Sequence, residues 1–406
     1  MSHRGTLSAM RLRSSAFALA CCAASLASLP GTALAANDGE SPADLARSGR
    51  GKPIEVEVGK TTITPFALFR AGYDRVGEDP KVDFVGRNNG FWLESARLGF
   101  EATSGSVTTR VSFEGASGAQ LAPNTPEGSL RVSLRDAFVR WEVSPALAIQ
   151  LGQAKAPWAR EELRGVQERP FATNAVGFEG VAAGRGYDQP SLALDRQLGL
   201  IVTAAKPIEA GGLRFDYAAM LANGNGRNQL VDDNGKPLVV GRVELGYLAY
   251  ATLGAGAYMN DRRVGTAPNL YDERDVGFVV DLMSKVENLE LLATYAQVGT
   301  AYPTTGAPDR KQVAWHAQAS YRFDWTAMPF AIGYRIAHFS PYAQAGAALP
   351  GGANLTDYDL DHHTVGVRLF HATLPLSLYA NYTLTLEPST RALANDRATL
   401  LAQMTF

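Results

Sequence analysis

Cysteine is all but missing. The chain has 2 in 406 residues, Cys21 and Cys22, and both fall in an N-terminal stretch that reads as an export signal. The exported chain is therefore not stabilised by disulfides. Lysine is scarce, so arginine carries most of the positive charge. The formal net charge of −2 leaves no domain-scale basic excess and excludes a nucleic-acid partner. Beyond residue 35 no run approaches the roughly 20 consecutive apolar residues of a spanning helix. GxSxG, HExxH and P-loop motifs are absent. No catalytic residue, cofactor or metal is expected, and the chain does not read as an enzyme. The run Asp361–His363 has no further ligands at metal spacing and reads as a solvated loop tip where a strand begins.

What is present begins with the signal. Arg4, Arg11 and Arg13 make a basic start, Ser14 to Leu29 is small and apolar, and Ala33 to Ala35 supplies small residues before a cut. A transmembrane anchor and a lipoprotein cleaved before Cys21 are weaker readings. Residues 1–35 are thus expected to be a signal peptide and 36–60 a flexible periplasmic lead-in. Residues 61–406 are the folded domain.

That domain alternates with period 2. In 312–323, Val313, Trp315, Ala317, Ala319, Tyr321 and Phe323 share one face, and Ala314, His316, Gln318, Ser320 and Arg322 the other. Such alternation marks a strand with two different environments. Sixteen segments of this kind fall near 62–74, 91–102, 107–115, 131–142, 147–155, 196–205, 212–221, 238–244, 247–259, 274–285, 288–299, 312–323, 330–339, 361–371, 374–386 and 396–406. Tight connections at 103–106, 143–146, 206–211, 245–246, 286–288, 324–329 and 373–374 alternate with longer polar or Gly/Pro-rich ones, of which 156–195 is the longest.

Sorting loops by length is the habit of an outer-membrane barrel, with short periplasmic turns and long outer loops. A strand in hydrocarbon must satisfy every backbone polar group, so the sheet has to close. The segment 396–406 alternates up to Phe406 and is expected to pair with 62–74. The fold class expected is all-β: a transmembrane up-and-down antiparallel barrel of about 16 strands, with 156–195 folded into the lumen. The surroundings expected are outer-membrane lipid in a Gram-negative bacterium. A strand ending in Phe406 also resembles the signal read by the barrel-assembly machinery. Trp141, Trp158, Trp315 and Trp325 suit interfacial girdles, with core packing the alternative for each.

The stretches "ARLGFEATSGSVTTRVSFEG", "LRDAFVRWEVSPALAIQLGQAKAPWAREEL" and "LDRQLGLIVTA" resemble the phosphate-selective porin O/P family over roughly residues 90–205. The resemblance implies a sixteen-stranded channel, a homotrimer, a loop in the lumen, and passage of small anionic solutes such as phosphate. From the residues themselves, parity places Arg97, Arg110, Arg140, Arg214, Arg242, Arg322, Arg335 and Arg368 on the inner face. Glu101, Glu114, Asp136, Glu142, Asp216, Glu244, Asp281 and Glu290 share it. Anion pores use such arginines, whereas cross-strand pairing would neutralise them. The pore-lining candidates are Arg97, Arg110, Arg140, Lys155, Arg160, Arg322, Arg335 and Arg368. The segment 156–195 balances Arg160, Arg164, Arg169 and Arg185 against Glu161, Glu162, Glu168, Glu179 and Asp188, and lies either in the lumen or over its mouth. The function expected is passive diffusion. A barrel with a filled lumen acting as an adhesin or enzyme, and a soluble β-sandwich, are the alternatives.

Overall fold

A computed structural model describes residues 54–116, 132–248, 250–266, 268–304, 309–324, 328–345, 353–371 and 374–406. The expected signal peptide, most of the lead-in, both cysteines and Trp325 lie outside these. Sixteen long strands follow one another. They begin with β1 (Thr61–Val76), β2 (Gly90–Ser104), β3 (Val107–Glu114) and β4 (Ser133–Ser144). Next are β5 (Leu147–Lys155), β6 (Arg196–Thr203), β7 (Leu213–Ala222) and β8 (Leu238–Tyr247). Then come β9 (Ala251–Thr266), β10 (Asn269–Val286), β11 (Leu289–Ala301) and β12 (Arg310–Phe323). The last are β13 (Phe330–Ala345), β14 (Leu360–Phe370), β15 (Leu376–Leu386) and β16 (Arg397–Thr405).

Each strand pairs antiparallel with its sequence neighbours, and β16 pairs with β1 from Arg397↔Val76 to Thr405↔Leu68. Phe406 extends this seam through two backbone bonds with Ala67, of 2.9 and 3.0 Å. The sheet is a closed barrel, so the ladder has no edge. Period 2 becomes two faces. β8 alternates buried and exposed at every residue. In β12, Ala314, His316 and Gln318 are buried, whereas Ala317 and Tyr321 are not. Leu98, Leu151, Val276 and Leu400 stand exposed on the outer face, the arrangement of a strand with hydrocarbon on one side.

Five details differ from the sequence reading. The polar stretch between β9 and β10 is a projecting hairpin, because its charges pair across the strands: Arg274 with Asp261, Arg262 with Glu273 and Arg263 with Asp272. The expected turn at 245–246 lies later, since β8 runs to Tyr247. Val56–Val58, in the expected lead-in, folds back on Thr61–Ile63, and Ile208–Ala210 pairs with Leu213–Phe215. A bulge also interrupts β1 and β2. Arg70 faces Ser95 and Ala71 faces Leu93, which leaves Glu94 as the extra residue and turns it toward Arg70.

Candidate functional site on the inner barrel face

The segment 156–195 contains two one-turn helices, α1 (Arg160–Leu163) and α2 (Val176–Glu179). Lys155 anchors its start. The Lys155 Nζ donates to the carbonyls of Glu162, Leu163 and Arg164 at 2.9, 3.2 and 3.3 Å, which caps α1. From there the segment meets buried side chains on strands far apart round the ring, by two kinds of contact.

Against β7 to β13 an apolar cluster is joined by charged contacts: Arg242 donates to the Trp158 carbonyl at 2.6 Å, Arg160 pairs with Glu244, and Arg164 pairs with Glu290 at 2.6 Å. Trp158, Val176 and Phe178 are buried in one cluster with Met220, Val240, Tyr258, Val279, Val298, Ala314 and Phe339. The Trp158 and Tyr258 rings meet edge to face at 4.7 Å. Trp158 therefore takes the core role rather than a place in a girdle. Glu161 Oε2 lies 3.7 Å from Nε2 of the buried His316.

Against β1 and β13 to β16 the contact is polar. Arg70 donates to the carbonyls of Val166 and Ala172 at 3.1 and 2.8 Å while Glu94 holds its Nε at 2.8 Å. Arg335 donates to Thr173 O at 2.8 Å, and Arg368 to Arg169 O at 3.2 Å. The guanidinium of Arg335 also lies 4.7 Å from the Phe171 ring. That ring rests on a pair of facing glycines, Gly333 and Gly366; a Cβ on either would come within 2.9 Å of it. Next along, Arg185 and Arg397 share Asp74 and Glu179, with contacts of 2.7 to 3.1 Å. A carbonyl is a neutral acceptor, so an arginine held only by carbonyls keeps its field, whereas one held by a carboxylate is offset.

The sequence candidates divide along this line. Arg97 and Arg110 are buried, 3.6 Å from Glu114 and 3.7 Å from Glu101. Arg140 lies 3.8 Å from Glu142 and donates to Ala204 O. Arg160 is paired with Glu244, and its N–H donates to Asp281 Oδ2 at 3.1 Å. Arg322 is bonded to Asp324 at 2.6 Å. Arg335 and Arg368 hold the 169–173 backbone, Arg335 with Glu161 at 4.0 Å, and Lys155 holds α1. The expectation of a solvated tip at Asp361–His363 gives way to a strand, because β14 begins at Leu360; there Asp361 bonds His338 at 2.7 Å. Among the described residues no cluster of three metal-ligating side chains occurs.

Sequence reasoning passed over Arg70, Arg135, Arg196 and Arg397. Parity had the means to find Arg70 and Arg397, since each alternates with inward neighbours, Leu68 and Thr399. Arg135 and Arg196 make contacts of 3.6 Å with Glu114 and 2.8 Å with Asp136.

The sequence matches no protein-family model and no curated protein. Solved structures do resemble the fold. One is an anion-selective porin from Comamonas acidovorans, with TM-score 0.56 and 14% identity over 85% of this chain and 100% of that one. Another is the outer membrane channel DcaP of Acinetobacter baumannii, with TM-score 0.57 and 13% identity over 86% and 99%. OmpF of Salmonella typhi in complex with daunomycin gives 0.54 and 14% over 87% and 100%. At such identity the likeness concerns the fold, which is that of a porin barrel.

Proposed function

We propose that this chain is a passive outer-membrane channel for small anionic solutes, and that 156–195 lies in its lumen as the constriction. The observation that carries this reading is the buried inner-face Arg368, whose hydrogen bonds go to neutral acceptors, the Arg169 carbonyl and the Ser377 hydroxyl, and which so keeps its field; Arg70 and Arg335 hold the same segment beside Glu94 and Glu161. The apolar outer face supports a place in lipid. Export by residues 1–35, assembly through the β16 end, a homotrimer and a Gram-negative outer membrane belong to the same proposal. The O/P resemblance over residues 90–205 is the ground for counting phosphate-like anions among these solutes.

A second reading is a barrel with a filled lumen that acts without conducting. The burial of Trp158, Val176 and Phe178 against β7 to β13 favours it. Recording in planar bilayers separates the two. The channel reading expects discrete chloride-carrying steps from the purified protein; a silent bilayer containing folded barrel supports the filled one.

A further inference from the structure

The polar side of the inner face holds a cavity. Its inner-face lining includes Trp92, Glu94, Arg169, Asn174, Glu179 and Tyr379. It is also bordered by outward-facing residues of the neighbouring strands, such as Tyr73 of β1 and Leu400 of β16. Around it the charges nearly cancel in place. Arg70 holds Glu94, and Arg185 and Arg397 hold Asp74 and Glu179. Arg169 is left over: among the described residues its side chain makes no hydrogen bond and no ion pair, and Glu161 and Glu94 act on it only at a distance. Its backbone is fixed. Pro170 keeps Arg169 extended, at φ −64 and ψ 137, and its carbonyl accepts from Arg368 and Tyr379. Beside the guanidinium the wall is apolar, with Trp92 packed on a cluster of Ala172, Tyr379 and Leu401.

Resting on the channel reading, we infer that this cavity is a subsite for a small monocarboxylate with an apolar or aromatic body, held by Arg169. One free guanidinium matches one carboxylate through two parallel hydrogen bonds. The rest of the solute gains by leaving water for Trp92, Tyr379 and Leu401. A divalent phosphate fits less well. It is more strongly hydrated and needs several donors, yet the neighbouring arginines are bonded to carbonyls or carboxylates.

The probes are benzoate and inorganic phosphate on the full-length protein. In bilayers, benzoate is expected to block chloride current at a concentration about tenfold below that of phosphate. Arg169→Gln removes that advantage, and Arg169→Lys, which keeps the charge but loses the fork, retains part of it. Heat-modifiable migration checks that each variant folds; Trp92→Leu, expected to weaken benzoate alone, serves if both Arg169 variants fail. Equal or stronger block by phosphate, or benzoate block unchanged in folded Arg169→Gln, overturns the inference and leaves the channel reading standing. If no current flows at all, the channel reading falls, and calorimetry in detergent decides the subsite. Benzoate heat in the wild type that is lost in Arg169→Gln upholds it; no heat in the wild type overturns it.

Discussion

The two arcs of the inner barrel face hold the same segment by different balances of contact. Along β7 to β13 the segment packs on Met220, Val240, Val279, Val298 and Phe339, and its own arginines, Arg160 and Arg164, are paired with the carboxylates of Glu244 and Glu290. Along β1 and β13 to β16 the residues that meet it are Arg70, Arg335, Arg368 and Gln403, and the contact is with backbone carbonyls. Packing of the first kind is dense, and the charges within it are offset by carboxylates. Contact of the second kind leaves guanidinium faces and cavities such as the one beside Arg169. On this account the apolar arc fixes the segment and the polar arc serves transport.

The largest expected effect is on the apolar arc. Trp158→Ala empties a fully buried site against Tyr258 and is expected to cost about 3–5 kcal/mol in denaturant unfolding from detergent. It should also make single-channel current noisier as the segment loosens. A change well under 1 kcal/mol with quiet current would mean that this arc is not the anchor.

Next is the outer face, the control for both arcs. Ala317→Arg points a charge outward from β12 and is expected to cost about 2–4 kcal/mol near the bilayer midplane. Ser320→Arg, inward and only partly buried, should assemble normally. Equal loss of heat-modifiable barrel in both would show the two faces of β12 reversed.

A smaller effect is expected on the polar arc. Arg335→Met leaves Thr173 O without its donor at about 1–3 kcal/mol, measured by the same unfolding. A cost matching that of Trp158→Ala would erase the distinction between the arcs. The smallest concerns a paired charge. Arg110→Gln with Glu101→Gln removes both members of a 3.7 Å contact and is expected to leave the reversal potential unchanged. A clear shift would make Arg110 part of the filter.

Most of the wall was legible in the sequence because it depends on local rules. A strand between hydrocarbon and a polar interior has to alternate, and a short turn has to follow in the next few residues. That is why 312–323 falls within Arg310–Phe323 and 396–406 matches Arg397–Thr405 to within a residue at each end. The projecting β9–β10 hairpin was missed because charge reads as loop until its cross-strand partners are known. The site was legible only in part. Parity turned the arginines inward, yet whether Arg110 meets Glu101 or Arg335 meets a carbonyl depends on strand register and on where 156–195 crosses, and both are set over long sequence distances. The role of Arg169 was hidden for the same reason. Its segment, with four arginines and six carboxylates, shows no basic excess as composition, and only the fold shows which of those charges are spoken for.

The sharpest test is the reversal potential of the wild-type protein in a potassium chloride gradient across a planar bilayer. A conducting path along the arginine-bearing arc predicts discrete steps with a zero-current potential displaced toward the chloride equilibrium value. Displacement toward the potassium value, or folded barrel that inserts without conducting, would contradict it.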